Sequence, residues 1–379
     1  MKITVVGAGP AGLFFAYLMK GSFPNCQIRV LEQNTADVTF GFGVVLSGRA
    51  LSFIAEAEHA AVKRLTQHME SWTDQHIVHR GTRVVIDGSS YSAISRIALL
   101  RELQRMCRER GIELVFERRF VPASGVDDFD VLVAADGANS AIRDTYGDRF
   151  GPRITDLKNY FAWYGVEHPY LAHTLTFHSN HLGFFCGHHY RYTPTMSTFV
   201  AEVDADTWHR SGMAKMDDDH RREYIQDVFA GTLAGKPLIS NKSNWRRWRL
   251  IKSDRWSSDN VVLIGDAQRS AHPSIGSGTR LAMEDSIALW RAFRQEGKDI
   301  PAVFARYERE RRPIRDKLNR AAELSIAWYE AMASKMELAP YDLAYDYMLR
   351  TEIMSPDRLA KECPNFFEAH REASMREIA

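Results

Sequence analysis

Cysteine is scarce in this chain of 379 residues: only Cys26, Cys107, Cys186 and Cys363 occur, scattered along its length. No two share the short spacing of a zinc-ligand pair or a redox dithiol. A reduced, cytoplasmic chain without structural disulfides is therefore the expectation. Excess charge of one sign is also lacking. The 49 Lys and Arg residues face 48 Asp and Glu, a formal net charge of +1. That removes the electrostatic case for a nucleic-acid partner or a membrane surface. The opening MKITVVGAGPAG is broken by glycines and has no basic stretch of any length ahead of it. It reads as neither a signal peptide nor a membrane span, and no span is read elsewhere. Repeats and low-complexity tracts do not occur, so no repeat architecture arises.

What is present is ordinary globular material, 45% hydrophobic and 26% charged. The length exceeds one core and calls for two lobes or interleaved domains. Residues 2–6 form a short apolar run that reads as a buried parallel strand. An apolar helical segment follows over 11–19, then a strand over 28–31 ending beside Glu32, which makes a βαβ start. Residues 40–47 read as a loop rich in Gly and Val. Residues 95–110 are amphipathic through Leu99, Leu100, Leu103 and Met106, hence a helix that Gly111 stops. Strands are expected over 112–116, 131–134 and 261–264, with a long helix over 280–294. After Pro301 the chain is helical and charged, with Pro313 interrupting the pattern. Between 159 and 203 the pattern changes to apolar-aromatic runs at hairpin spacing, over 174–177, 183–186 and 197–203. These read as a separate antiparallel lobe. The expected partition is 1–158 and 256–320 for a nucleotide-binding lobe built from both ends, 159–255 for the inserted sheet lobe, and 321–379 for a helical C-terminal segment. The segment Trp245-Arg246-Arg247-Trp248-Arg249 interleaves aromatic and basic residues as single-strand nucleic-acid sites do. Without wider basic bias it reads as a strand or loop edge with solvated arginines.

Three motifs carry chemistry. In Gly7-Ala8-Gly9-Pro10-Ala11-Gly12, Gly7 permits the tight turn, Gly9 lets the backbone approach a pyrophosphate, and Gly12 lets helix and strand pack closely. The following helix N-terminus faces the phosphate charge. Glu32 stands twenty residues beyond Gly12, where an acid binds a ribose diol with a free 2′-hydroxyl, as in FAD or NAD. The second motif is Ala135-Asp136-Gly137-Ala138-Asn139-Ser140-Ala141-Ile142-Arg143. The third is Gly265-Asp266-Ala267 with His272-Pro273-Ser274-Ile275-Gly276-Ser277-Gly278.

In this order the three motifs resemble the fingerprints of FAD-dependent aromatic hydroxylases, and the resemblance extends to about residue 320. Within that family the chain is most similar to the salicylyl-CoA and 2-aminobenzoyl-CoA hydroxylases and to the tryptophan-derived pigment hydroxylase of the violacein pathway. Four segments carry that: Gly41-Phe42-Gly43-Val44-Val45-Leu46, Trp163-Tyr164-Gly165, Met196-Ser197-Thr198-Phe199 and Ser274-Ile275-Gly276-Ser277-Gly278-Thr279. The resemblance implies an α/β fold, a Rossmann-like FAD lobe with an inserted antiparallel substrate lobe and C-terminal helices. It places Gly7, Gly9, Pro10, Ala11, Gly12, Glu32 and Gln33 at the adenosine end of FAD. Arg96 falls beside the phosphates or ribityl chain, Asp136 near the adenosine-side phosphate or a bridging water, and Asp266 at a ribityl hydroxyl. Val45, Gly276, Ser277, Gly278 and Thr279 fall at the flavin ring, where free N–H groups and a helix dipole would face the pyrimidine edge.

The implied reaction is NADH or NADPH reducing FAD, O2 adding to give a flavin C4a-hydroperoxide, and oxygen transfer to an electron-rich aromatic ring. The cofactor would carry the chemistry, which accounts for a chain showing neither a nucleophile triad nor a metal cluster. His188, His189, Tyr190, Tyr192, Trp163 and Tyr164 are candidates for the roof of the substrate cavity. Strand alternation sends His188 and Tyr190 to one face and His189 to the other. His188, Tyr190 and His272 are the candidate catalytic side chains. Many relatives have His where Arg269 stands and Pro where His272 stands, and the subgroup shares the second change, so His272 reads as a substrate contact or a structural histidine. The substrate is a small aromatic molecule, whether a CoA thioester or a free indole-type compound, acted on by a monomer or homodimer. A flavin reductase or dehydrogenase is the alternative within the enzyme class, and a non-catalytic dinucleotide-binding module the alternative outside it.

Overall fold

The computed structural model describes residues 1–39, 41–121, 129–276 and 278–378. Its floor is a six-stranded sheet in the order Ser257–Ser258, Val261–Leu263, Val131–Ala134, Lys2–Val6, Gln27–Leu31, Glu113–Val115. The central pairings are parallel. Every residue of Val131–Ala134 is buried, as a strand covered on both faces requires. The helix Pro10–Ser22 starts with Pro at its first position, where the missing N–H costs nothing. It packs against the Arg96–Glu109 and Gly278–Glu296 helices through Leu13, Phe14, Phe15, Leu103, Met106 and Met283, all without exposed surface.

The roof is an eight-stranded sheet. Along its path run Leu238–Ser240, Pro152–Val166, Ser197–Val203, Gly183–Arg191, His173–Asn180, Gln75–His79 and Thr82–Ile86, with Arg246–Ser253 also paired to Pro152–Val166. Its membership departs from the linear partition. The Gln75–His79 and Thr82–Ile86 hairpin precedes residue 159 yet joins this sheet through a parallel pairing with His173–Asn180. The Pro152–Val166 strand also starts before that boundary. Alternation divides the roof cleanly. One face buries Tyr164, Phe185, Phe199, Ala201 and Val203 against Trp208, Ile225, Phe229 and Leu233. On the other, Leu175, Phe177 and Cys186 pack under Trp328, Tyr329, Met332 and Tyr347 from the C-terminal helices. The rest of that second face looks toward the floor.

Two local expectations are corrected. Within 40–47, residues Gly43–Ser47 are a strand, not a loop: Val44 and Val45 pair with Ile94 and Ala93 in a three-stranded sheet with Tyr91–Ser95 and Met69–Trp72. The glycines masked a β-branched run whose partner lies far along the chain. Pro313 does not interrupt its helix, which runs unbroken over Ile300–Glu330. A mid-helix proline forfeits one backbone bond. Here Arg311 and Arg315 on either side are anchored in buried ion pairs that hold the helix through it.

Candidate active site

The glycine loop sits at the carboxyl end of the Lys2–Val6 strand, where open α/β sheets bind ligands. Gly7 has φ +105°, and a β-carbon there would stand 2.3 Å from the Ala135 carbonyl oxygen. A β-carbon on Gly12 would lie 2.1 Å from the Gly7 carbonyl oxygen. Gly9 differs: no heavy atom comes within 4 Å of such an addition. Two glycines are thus required by the protein's own packing, and the third faces open space at a helix N-terminus. Glu32 accepts hydrogen bonds from the Ala8 N–H at 2.9 Å and from both the N–H and side-chain amide of Asn34 at 2.9 and 2.7 Å. Gln33 is exposed beside it.

The two acidic loops converge next to this cradle. Arg143, 1% exposed, donates to the Ala138 and Ala267 carbonyls and so ties one loop to the other. Asp136 Oδ1 is buried without a partner, while Oδ2 accepts from the Ile142 N–H at 3.4 Å. Burial raises the Asp136 pKa above the ordinary aspartate value, against hydrogen bonds from Ser140 and nearby N–H groups. Asp266 is raised likewise, by burial first, with Arg315 and Arg96 opposing. The Gly265 N–H beside it donates to Asp285, which has no exposed surface and also takes Arg311 at 2.7 Å and Arg315 at 3.1 Å. Arg96 keeps an exposed guanidinium. Yet its pKa is pushed below the arginine value, chiefly by the protein mass around it, with Asp266 acting the other way.

The flavin-ring loop lies under the roof. His272 is 3% exposed, and its Nδ1 accepts the Ser274 N–H at 3.2 Å, capping the turn Pro273–Ile275. Burial holds this imidazole down to a pKa of about 4. Gly276 takes φ +56° and faces open space, and Gly278 begins the Gly278–Glu296 helix, with Thr279 in its first turn. Ser277 lies outside the described residues. Arg350 of the C-terminal segment donates to the Ser274 carbonyl at 2.9 Å and lies 3.6 Å over Tyr347.

Roof and floor meet along Gly41–Val45. The Gly43 N–H donates to Thr198 Oγ1 at 2.8 Å, and the Tyr190 hydroxyl donates to the Gly43 carbonyl at 3.0 Å. The Tyr190 proton is therefore committed to a structural bond, and burial pushes its pKa up to about 12. Val45 is half-buried beside it. Trp163, Phe161, Trp248 and His272 form a contiguous ring cluster with centroids 5.3–6.0 Å apart. His188, 15% exposed, presents Nε2 to Glu202 Oε2 at 3.3 Å. His189 lies on the opposite face, hydrogen-bonded to Thr176 and stacked on Phe199. Tyr164, named as a roof candidate, also faces away: its hydroxyl accepts the Trp245 indole N–H at 2.8 Å within the helix-covered layer. Tyr192 is buried against Gly43.

The Trp245–Arg249 segment resolves by alternation. Arg247 and Arg249 turn outward to Asp156. Arg246 shares the face of Trp248 and lies 5.8 Å over Trp163, so it is not among the outward-turned arginines. Glu202, Arg350 and the Asp285–Arg311–Arg315 cluster were not singled out by sequence, and Arg246 only as a solvated arginine. For Glu202 a signal existed, an acid inside the wholly buried strand Ser197–Val203. A groove of about 460 Å3 lined by Lys2, Lys20 and Arg29 lies at the opposite, amino end of the parallel strands and shares no residue with this cleft.

The cleft fits a flavin dinucleotide on the evidence of its own atoms. Gly9 has an open side, Asp136 a buried oxygen without a partner and Gly276 an open turn, and Arg96 stands crowded with Asp266 near it. The fold and site define the class, a nucleotide-binding flavoprotein with a sheet roof. The FAD binding domain family matches residues 128–322. The salicyloyl-CoA 5-hydroxylase of a Streptomyces species is 34% identical over 93% of this chain and 70% of its own. The 3-hydroxy-4-methyl-anthranilyl-[aryl-carrier protein] 5-monooxygenase of Streptosporangium sibiricum is 35% identical over 91% and 93%. The protodeoxyviolaceinate monooxygenase of Chromobacterium violaceum is 30% identical over 94% and 96%. The solved 2-methyl-3-hydroxypyridine-5-carboxylic acid oxygenase shares the fold, with a TM-score of 0.74 at 18% identity over 95% of each chain.

The chain belongs to the family of FAD-dependent aromatic hydroxylases. It is a monooxygenase with FAD as cofactor, NAD(P)H as reductant and O2 as co-substrate. Bound FAD supplies the oxygen activation; the protein's part is to bind, orient and exclude water. No described helix is long and apolar enough to cross a membrane.

Proposed function

We propose that the substrate is an aromatic acyl thioester bearing a hydroxyl or amino group next to the acyl carbon, hydroxylated para to that donor. The observation that carries this is the shared chemistry of the two relatives at 34% and 35% identity. Their names specify a CoA thioester and a carrier-protein acyl group, each with a heteroatom at ring position 2 and oxygenation at position 5. Position 5 is para to that donor, the carbon where its electron release favours electrophilic oxygen. The ring cluster of Trp163, Trp248 and Phe161 supports a flat substrate. Arg246 supports an anionic tail, being exposed on the cavity face with no ion pair among the described residues. In this reading Gly9, Pro10, Ala11, Arg96 and Asp136 hold the FAD phosphates, Glu32 and Gln33 the adenosine ribose, Asp266 the ribityl chain, and Val45 with 276–279 the ring. His188 is the side chain that meets the substrate.

The test is substrate-stimulated NAD(P)H oxidation with product mass raised by one oxygen. The panel is salicyloyl-CoA, 2-aminobenzoyl-CoA, free salicylate, free 2-aminobenzoate and an indole compound. Turnover of the free acids or the indole in preference to the thioesters would overturn the reading, and the indole result would favour the kind of reaction named for the third relative. The four cysteines, free and buried, support a cytoplasmic location. A monomer or homodimer is proposed for solution; the solved pyridine-carboxylate oxygenase is described in a tetrameric form, and sedimentation decides.

A further inference from the structure

The roof carries a buried carboxylate that the flavin site does not use. Glu202 is 4% exposed and has no arginine or lysine in ion-pair range among the described residues. Its Oε1 accepts the Asn159 amide at 2.8 Å, and Asn159 in turn donates to the Tyr329 carbonyl. Its Oε2 faces His188 Nε2 at 3.3 Å, a nitrogen that the Cys186 Sγ also approaches at 3.5 Å. A buried carboxylate is costly unless a cation or donors meet it. Here the candidates are an amide and an imidazole. His188 Nδ1 has no hydrogen bond among the described residues and is not sealed from solvent, and its side chain lies on the cavity face beside the Tyr329 ring at 5.3 Å.

We infer that Glu202 is a positioning residue that fixes the His188 tautomer, so that Nδ1 takes the proton of a substrate ring hydroxyl. The inference rests on the proposed ring-donor substrate. With Nε2–H donated to the carboxylate, Nδ1 is left with its lone pair toward the cavity. The phenolic O–H bond breaks, an N–H bond forms at Nδ1, the electron pair stays on the ring oxygen, and the imidazolium is balanced by the carboxylate already beside it. The phenolate directs oxygen more strongly to its para carbon. An amino substituent needs no such loss, so for it the same nitrogen only accepts a hydrogen bond.

The titratable groups around this pair stay neutral. Burial raises the Cys186 thiol and the Tyr329 phenol well above their usual values, so both stay neutral. Burial lowers His173 to about 3 and His272 to about 4, so both are uncharged near neutrality. Tyr190 is engaged with Gly43. Arg350 stands beyond Tyr329, 6.0 Å from its ring. Glu202 itself is held below the glutamate range, against burial, by His188 and His272 and by the Asn159 amide.

The test uses FAD-loaded protein labelled at the imidazole Cε1, with the His188 signal assigned from His188→Asn. In Glu202→Gln the titration midpoint of that signal is expected to move to lower pH by about one unit or more. Glu202→Asp, which keeps the charge, is expected to restore part of the shift. A midpoint unmoved in Glu202→Gln overturns the inference. This arm contains no substrate, so failure of the thioester reading leaves it intact. If Glu202→Gln does not hold FAD, the imidazole nitrogen shifts of His188 in the wild type decide in its place: a neutral ring protonated at Nδ1 instead of Nε2 overturns the inference. In turnover, Glu202→Gln is expected to slow hydroxylation of salicyloyl-CoA by roughly tenfold or more above the wild-type His188 midpoint, the loss shrinking below it because the variant's imidazole stays neutral there, and 2-aminobenzoyl-CoA by less than about threefold. Equal losses on both would assign Glu202 a purely structural role.

Discussion

Gly9 and Gly12 stand three residues apart in one motif, yet the structure assigns them opposite duties, and alanine at each separates them. A methyl at Gly12 would meet the Gly7 carbonyl oxygen at 2.1 Å, with Val5 Cγ1 at 3.1 Å and the Ala135 β-carbon at 3.2 Å. The first contact is with backbone and cannot be relieved by a rotamer change. The helix must lift from the sheet, at a cost of about 1–3 kcal/mol or more. Gly12→Ala should therefore lower the unfolding temperature of the apoprotein itself. Gly9 has φ −77° and ψ 177°, which alanine adopts without strain, and no atom within 4 Å. Its substitution forfeits a mild preference at the helix N-cap and gains roughly 0.4–1 kcal/mol from a less free unfolded chain, a net effect near zero. The methyl would instead occupy the space reserved for the pyrophosphate. Losing one charge-assisted hydrogen bond there costs about 1.5–3 kcal/mol, or roughly ten- to over a hundredfold in the FAD dissociation constant. Flavin-fluorescence titration and apoprotein melting, run on both variants, read the two effects separately. Gly9→Ala with an unaltered dissociation constant would show that the open space beside Gly9 is not where phosphate lies.

Asp266→Ala should weaken FAD retention by roughly ten- to a hundredfold, and more than Glu32→Ala does, because Asp266 stands in a drier part of the cleft; equal dissociation constants would contradict that order. Part of the Glu32→Ala effect should appear instead as lost apoprotein stability, since its carboxylate already serves Ala8 and Asn34. Asp285→Asn leaves buried Arg311 with Glu284 as its remaining carboxylate and buried Arg315 with none in ion-pair range among the described residues, and should cost about 3–5 kcal/mol in denaturant unfolding; a loss under about 1 kcal/mol would refute the network's role. His188→Asn should raise the apparent substrate constant and divert NAD(P)H oxidation toward H2O2, because a misplaced ring loses near-attack geometry; unchanged coupling and affinity would put His188 outside the site. His173 and His272, held at about 3 and about 4, stay neutral in the fold while the unfolded chain takes up their protons below about pH 6.5. Stability should thus fall as pH falls toward 4, by about 1.4 kcal/mol per pH unit for each, with Asp136 and Asp266 acting in the opposite sense at the acid end. His173→Phe should reduce that slope by one proton, and an unchanged slope in pH-resolved melting would refute it.

What could be read in the chain followed the range of each interaction. The βαβ opening, the all-apolar Val131–Ala134 strand and the opposite facing of His188 and His189 depend on neighbours a few residues apart, and periodicity carries them. The Gly43–Ser47 strand depends on Tyr91–Ser95, and Gln75–His79 on a strand about a hundred residues later, and no local pattern announces either. The charged helix after Pro301 gives no sign of its buried ion pairs, because nothing near it in sequence shows that Arg311 and Arg315 meet Asp285, 26 and 30 residues back. Glu202 lay within reach. An acid in the run Ser-Thr-Phe-Val-Ala-Glu-Val, buried at all seven positions, needs a partner, and period two puts it on the His188 face. Its contact with His188 spans two strands in a register that the sequence does not specify.

The Gly41–Val45 segment explains why roof and floor can act as one site. Its backbone is held from four directions: Asn241 at the Gly41 carbonyl, the Arg96 N–H at the Phe42 carbonyl, Thr198 at the Gly43 N–H and Tyr190 at the Gly43 carbonyl. Thr198 and Tyr190 belong to roof strands that also carry Glu202 and His188, while Arg96 opens the helix proposed to lie beside the FAD phosphates. Each bond alone is worth about 1 kcal/mol net, but each also satisfies a backbone group that would otherwise be stranded between the lobes. A roof displaced by an ångström would break the Thr198 and Tyr190 bonds together and leave both Gly43 groups without partners. The distance from His188 to the flavin-ring loop is therefore fixed by the same contacts that close the floor. Oxygen transfer to one ring carbon demands that kind of shared reference frame, because in the proposed arrangement the floor holds the cofactor, the roof meets the substrate, and the two must still meet within a fraction of an ångström.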